Sequence, residues 1–529
     1  MNDALPPVVQ GLALAILVLG VTALSRRLPI PTPILQVGAG LIVGLVPGAT
    51  GLRLDPSFVF FVFLPPVLWA AAYFTSLRDF NANLRPICLL AVGLVLVTTA
   101  VVAVAAHAFL PGLPWAAAVA LGAIVSPPDA VAAEAIIKRL PIPRRIVTIL
   151  EGESLVNDAS ALILYRAAVL AAVSGQFSLG ETIVRFFIDG AVGVLIGLAV
   201  GWLVIGAARF TRDALAEVVL SLVGPYLAWV AAERLHVSAV LACVAGGLYV
   251  RRYFSSVVSP ASRLQARAVW DLVIFVTNAL IFILLGVQFG ELIEAVPAGG
   301  LASIVLTGLA ISGIAIVVRL LWVPVATVVP RLLSPELRIR DPMPPARAVL
   351  LVSWTSMRGI VSLASALALP LVLNDGRPFP YRAEIILVTM CVIVVTLVVQ
   401  GLTLAPLIRW LEFPPETVHH EEEAHARSEA LRNALERLDD LADESWVSPE
   451  DLTLLRAEYG RRERKHAARG QEARDGAQTR QRLRAEVLGA ERRALIRLRD
   501  EGAISDEVLH HLERELDVEA LRIGVGDVI

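Results

Sequence analysis

A chain of 529 residues that is 56% apolar and 18% charged, with a mean hydropathy of +0.70, has too little polar surface to cover a water-soluble fold; this excludes a soluble enzyme. Its 46 basic and 48 acidic side chains leave a net charge of −2, so no basic excess points to nucleic acid. Cys88, Cys243 and Cys391 all lie in apolar runs, where cysteine packs much like alanine or serine, and neither a disulfide framework nor a thiolate metal site is expected.

The charges are unevenly placed. Up to about Ile408 the chain is built from apolar runs of about 17 to 25 residues, the length that crosses roughly 30 Å of hydrocarbon as helix. The pattern predicts an all-α polytopic membrane protein with thirteen spans near 8–24, 32–47, 57–74, 86–106, 114–138, 146–172, 182–208, 215–233, 238–250, 269–289, 301–329, 347–370 and 384–408. A transmembrane domain over 1–410 and a helical domain over 411–529 follow. The first run has no basic segment before it, and Arg26 and Arg27 follow it, so it reads as the first helix and not as a signal peptide.

Alternate loops are basic. Arg26 and Arg27, Arg78 and Arg85, Lys138 to Arg145, Arg209 and Arg212, Arg251 to Arg267, and Arg331 to Arg347 fall on one side; scattered residues such as Arg53, Arg234, Arg377 and Arg382 fall on the other. The rule that cytoplasmic loops are positive then places the N-terminus outside and the C-terminal tail in the cytoplasm of a cell whose plasma or inner membrane holds the protein.

The fifth span carries Ser126-Pro127-Pro128-Asp129. Consecutive prolines remove backbone donors and crowd the preceding turn, so a helix running in from Trp115 is expected to stop near Val125 and restart around Asp129, which would cap the new N-terminus. The sixth span carries Glu153, Ser154, Asn157 and Asp158. Glu153 and Asn157, like Ser154 and Asp158, stand four apart, so all four project within an arc of about 140° and form one wall of a small polar cavity. Ionisable groups at that depth mark ion or proton pathways. The twelfth span is interrupted at Ser353-Trp354-Thr355-Ser356-Met357-Arg358-Gly359. At about 1.5 Å per residue, Asp158, Asp129 and Arg358 all lie roughly 15–20 Å from the basic edge. Two broken spans running in opposite directions at one depth fit inverted repeats around a midplane site, as in transporters.

Glu153-Ser154-Leu155-Val156-Asn157-Asp158, Phe63-Leu64-Pro65-Pro66 with Tyr73-Phe74, Arg358-Gly359 with Val361-Ser362-Leu363 and, more weakly, Phe282-Ile283-Leu284-Leu285-Gly286 occur in the order seen in one family. Over roughly residues 8–410 the chain resembles the monovalent cation:proton antiporters of the NhaP and sodium/proton exchanger type. The resemblance implies an NhaA-like antiporter fold with two broken crossing helices, a mobile six-helix core and a second bundle that forms a homodimer. It also implies exchange of a monovalent cation, sodium foremost with lithium or potassium as alternatives, for a proton, one for one and without net charge. Asp158 would bind cation or proton in turn, with Ser154, Glu153 and the Pro128 carbonyl completing the shell. Asn157, Asp129 and Arg358 would structure the site, with Arg358 paired to Glu153. Glu153 itself is open between ligand and structural partner, and capping alone explains Asp129. The family commonly has Thr-Asp-Pro at the first break, where this chain reads Pro128-Asp129-Ala130; only a backbone role survives at Pro128. No cofactor, enzymatic activity or nucleic-acid partner is expected. Channel and membrane-sensor readings are kept as alternatives, although nothing resembles a carbonyl-lined filter.

Glu134, Glu151, Arg166, Asp189, Glu217, Asp271 and Arg319 read as charges near span ends that snorkel, or, for Glu151, Glu134 and Glu217, as lining of a negative funnel. In the tail, Leu431, Leu435, Leu438 and Leu441 recur at helical spacing, Pro414-Pro415 reads as a hinge, and Ser448-Pro449-Glu450-Asp451 as a helix start. A looser stretch runs from Arg469 to Thr479. His419, His420, His425, His510 and His511 suit a pH-sensing contact with the transmembrane domain, while Arg461, Arg462, Arg464 and Lys465 suit lipid head groups.

Overall fold

The computed structural model describes residues 7–28, 30–45, 59–129, 133, 136–137, 140–175, 179–211, 213–295, 301–413, 417–444, 446–467 and short pieces between 483 and 519. Glu134, Lys138, Arg139, Arg53, Arg212, the Pro414-Pro415 hinge, the Arg469–Thr479 stretch, His510 and His511 lie outside them. The chain divides into two compact units, Met1–Pro415 and Glu416–Ile529.

The described residues of the first unit form helices and the segments that join them. In chain order it holds α1 (Pro7–Ser25), α2 (Thr32–Gly44), α3 (Leu64–Phe74, entered through a π turn at Val59–Phe63), α4 (Leu77–Ala82), α5 (Leu84–Phe109), α6 (Trp115–Val125), α7 (Arg144–Ser174), α8 (Leu179–Phe210), α9 (Ala214–Arg234), α10 (Ala239–Val257), α11 (Pro260–Ala295), α12 (Leu301–Leu333), α13 (Pro335–Arg340), α14 (Ala346–Trp354), α15 (Ile360–Leu367) and α16 (Arg382–Leu411). The described residues contain no strand, only an isolated bridge between Val372 and Pro378. Seven of these helices are long and apolar enough to cross a membrane, and four more are apolar but shorter. Leu19, Leu195, Trp202, Leu306 and Leu321 point outward and exposed, as hydrocarbon-facing side chains do.

Helix contacts are made by small residues, because lipid gives no hydrophobic drive for helices to associate and close backbone approach must supply it. On α8, Gly193, Gly197 and Gly201 face α10: a Cβ on Gly193 would lie 2.5 Å from the Ser238 carbonyl, and one on Gly197 2.2 Å from that of Ala242. Gly40 and Gly44 of α2 meet α11 the same way, with Cβ positions 1.9 and 2.4 Å from the carbonyls of Ile283 and Val287.

In the second unit α17 (Thr417–Asp440) packs on α18 (Pro449–Ala467), and Arg456 bridges to Asp439 at 2.5 Å. The helix start at Ser448-Pro449 is where the spacing predicts it, with the Ser448 hydroxyl accepting from the Glu450 N–H at 3.3 Å.

Gly197→Val forces α8 off α10. The expected outcome is a loss of about 1–3 kcal/mol or more, read as a lower melting temperature and a reduced monodisperse peak in size-exclusion chromatography, whereas Gly206→Ala, with open space around its Cβ position, stays near wild type.

Candidate functional site

Two helices are interrupted at one place. α6 stops at Val125, with the Ser126 N–H still donating to the Gly122 carbonyl at 3.0 Å, and Pro127 to Asp129 run on as irregular backbone. α14 ends at Trp354, and Thr355 to Gly359 are irregular before α15 resumes at Ile360. The Asp129 N–H donates to the Met357 carbonyl at 2.6 Å, and Arg358 Nε donates to the Val125 carbonyl at 3.0 Å. Backbone groups freed by each break are thus satisfied by the other, which an apolar surrounding demands.

Arg358 is buried and holds this crossing through oxygens of backbone and hydroxyl groups. Its Nη1 donates to the Ser356 carbonyl and hydroxyl, and its backbone N–H donates to the Thr396 hydroxyl at 3.2 Å. The expected Arg358–Glu153 pair is therefore corrected: the partner of Glu153 is Arg319 on α12. The two side chains meet in a bidentate pair, one arm of which is 2.8 Å, with both residues 1% exposed. Arg319 Nε also donates to the Val352 carbonyl at 3.1 Å, so Arg319 does not snorkel to a span end. Its depth was legible: twelve residues of helix separate it from Arg331, roughly 18 Å.

The arc of polar residues on α7 is divided between two faces. Glu153 and Asn157, separated by one turn, face the scaffold; Asn157 is fully buried and its Nδ2 donates to the Pro128 carbonyl at 2.8 Å. Ser154 and Asp158, rotated by about 100°, face a cavity of about 270 Å³ together with Glu151. Its other walls are Asp129, Pro127, Gly359 and Ser362 at the crossing, Phe63 with Leu64, Val67, Ala71 and Phe74 of α3, and Ile274, Asn278, Ile281 and Phe282 of α11. The cavity reaches Glu151 and Phe74, toward the end of α7 that begins at Arg144; Arg267 lies over the Phe74 ring at 4.4 Å from its centroid. Among the described lining residues are three carboxylates and no arginine or lysine.

Of the residues singled out in the sequence, the structure brings Asp158, Ser154 and Asp129 to the cavity. Glu153, Asn157, Pro128 and Arg358 surround it without lining it: the Glu153 carboxylate is taken up by Arg319, and the Pro128 carbonyl already accepts from Asn157. Asn278 and Ser362 were missed as wall residues. Asn278 stood in view as a lone amide inside an apolar run; Ser362 sits among Ile360, Val361 and Leu363 and gives no such signal. Gly359 is where it is because a Cβ there would lie 1.6 Å from Asp129 Oδ2. Carboxylate, hydroxyl and amide oxygens on the walls of one cavity, with no basic side chain among the described lining residues, suit a hard cation or a proton.

A multi-helix membrane domain with a polar cavity at the crossing of two broken helices is an arrangement that secondary transporters use. Residues 13–410 match the family model described as sodium/hydrogen exchanger, transmembrane. An uncharacterised Na+/H+ exchanger of Mycobacterium bovis is 35% identical over 511 residues, covering 95% of this chain and 93% of that one. A sodium, potassium, lithium and rubidium/H+ antiporter of Bacillus subtilis is 30% identical over 505 residues, covering 93% and 74%. In fold, the chain is similar to the sodium proton antiporter MjNhaP1 from Methanocaldococcus jannaschii, with a TM-score of 0.58 at 18% identity over 74% of this chain and 97% of that one. The chain belongs to the sodium/hydrogen exchanger family, and is a multi-pass membrane antiporter.

Removing one member of the Glu153–Arg319 pair leaves a buried charge without its partner. Arg319→Met is expected to lower stability by about 3–5 kcal/mol, while Glu153→Leu with Arg319→Met recovers much of that loss; thermal unfolding of the two single variants and the double variant measures the coupling.

Proposed function

We propose that the protein exchanges a monovalent cation, sodium foremost, for a proton, one for one, with the two ions competing for the Asp158 carboxylate. The observation that carries this reading is the placement of Asp158 and Ser154 in a cavity that contains carboxylates and hydroxyls and no fixed positive charge among its described lining residues. A dehydrated cation there would take its oxygens from Asp158, Ser154 and Asp129, in place of the Glu153 and Pro128 expected from sequence. Glu153 and Arg319 form a neutral pair outside it, so the charge of the site changes with the occupancy of the cavity. The Mycobacterium bovis relative, named for sodium alone, favours sodium, and the breadth in the name of the Bacillus subtilis relative makes lithium and potassium the alternatives.

The crossing breaks give the transport step its form. With thirteen spans arranged as inverted repeats, the crossing helices and α7 carry the site while the wall formed by α3 and α11 exposes it first to one side and then to the other. By the rule that cytoplasmic loops are positive, the cavity mouth would open to the cytoplasm. A second bundle would join two copies into a dimer. Negative charge from Glu151 at the mouth raises the local cation concentration.

The test is made in proteoliposomes with a pH dye inside and sodium, lithium or potassium added separately. Wild type is expected to move protons on cation addition, and Asp158→Asn to lose at least about 99% of that flux, because an amide can neither release a proton nor supply the charge. With competition at a single carboxylate, the apparent cation KM rises about tenfold for each unit by which pH falls in the range where that carboxylate is mostly protonated. Undiminished exchange by Asp158→Asn, or a KM that ignores pH, would remove the proposal.

A further inference from the structure

Away from the Asp158 cavity, three guanidiniums from three helices converge on one carboxylate. Arg85 of α5, Arg145 of α7 and Arg331 of α12 reach Asp341, in the segment between α13 and α14, at 2.8, 2.7 and 2.7 Å. Arg331 Nε donates to the Asp341 carbonyl at 2.9 Å, and Arg145 Nε donates to the Asn83 side chain at 3.0 Å. Three positive charges on one carboxylate leave the cluster positive. Arg85 Nε and Nη1 are buried and have no hydrogen-bond partner among the described residues. Buried donors of this kind are unfavourable until an acceptor meets them, and a guanidinium fork matches a phosphate.

The same arginines border a slot of about 80 Å³ whose other walls are apolar, among them Leu89, Ile149, Val323, Ala326 and Val352. Through Thr327, Pro344 and Val349 the slot continues into a groove of about 450 Å³, walled by Leu320, Pro324 and Leu350 of α12 and α14. A charged head and an apolar tail of one site lie end to end.

We propose that this slot and groove hold one anionic phospholipid, with its phosphate on Arg85, Arg145 and Arg331 and an acyl chain between α12 and α14. Charge and shape choose this occupant together. A free phosphate would meet the arginines and leave the groove unfilled, and a zwitterionic lipid would carry its own cation into the cluster. The groove runs between the helix that carries Arg319 and the half-helix that leads into the Thr355–Gly359 break, so an occupied groove braces the scaffold of the crossing.

The test uses the purified full-length protein in neutral detergent, with native mass spectrometry and thermal unfolding in the presence of dioleoylphosphatidylglycerol, dioleoylphosphatidylcholine or inorganic phosphate. Phosphatidylglycerol is expected to remain as a bound adduct and raise the melting temperature, and the other two to do neither. Arg85→Gln with Arg145→Gln should weaken phosphatidylglycerol binding roughly tenfold or more, through lost charge-assisted hydrogen bonds. Ala326→Trp, which fills the slot and leaves the ion network alone, should do the same and keeps the test readable if the arginine variant does not fold. Arg251→Gln with Arg252→Gln, which removes equal charge from α10, should bind as wild type does. Equal stabilisation by phosphatidylcholine or by phosphate alone, or undiminished phosphatidylglycerol binding by Ala326→Trp, would overturn the proposal.

Discussion

The hydrogen bonds between the two helix breaks are the constraint on which the rest of this structure depends. A proline pair on one strand of the crossing and the Thr355–Gly359 interruption on the other strip helical partners from backbone groups in a setting where each orphan costs several kcal/mol. The Asp129–Met357 and Arg358–Val125 bonds close that deficit, and Arg358 serves as a polyvalent donor to oxygens that water would otherwise meet. With the crossing in place, Asp129 is pressed against Gly359 and both become wall of the cavity.

Helix α7 separates two electrostatic tasks by one step of its own rotation. Glu153 is neutralised by Arg319 in a bidentate pair, the geometry in which a buried ion pair is least unfavourable, and with Asn157 it fastens α7 to α12 and to the first break. Asp158 is kept apart from that pair on the cavity side, next to Ser154, so its carboxylate remains available to a small cation. The cavity wall already carries the carboxylates of Asp129 and Glu151 besides Asp158, and pairing Glu153 with Arg319 keeps a fourth from adding to them.

Much of this was legible because the signals were covalent or periodic. Adjacent prolines late in an apolar run remove backbone donors and crowd the turn before them, so a helix end near Val125 could be read from the sequence, whereas Pro65-Pro66 fall in the first turn of α3 and are tolerated there. The polar string on α7 stood out in an apolar run, but a period of 3.6 says only that its residues share an arc of about 140°, not that a boundary between two environments runs through it. The partner of Glu153 was hidden for a similar reason. Arg319 and Arg358 lie at comparable depth on different helices, and the choice between them depends on how α12 and α14 approach α7, which no local pattern records. The glycines of α2 and α8 were visible as residues, but their meeting with particular carbonyls of α11 and α10 is a property of the assembled bundle.

Helix α7 is tied near its start, where Arg145 meets Asn83 and Asp341, and again where Glu153 meets Arg319. Between these anchors the identity of most side chains can drift, but their number cannot. One residue inserted or deleted there turns everything beyond it by about 100°, exchanging the face that is clamped with the face that is open. The stretch between Arg145 and Glu153 therefore acts as a ruler: its information is its length, and frame-preserving insertions in it should be far less tolerated than substitutions at the same places.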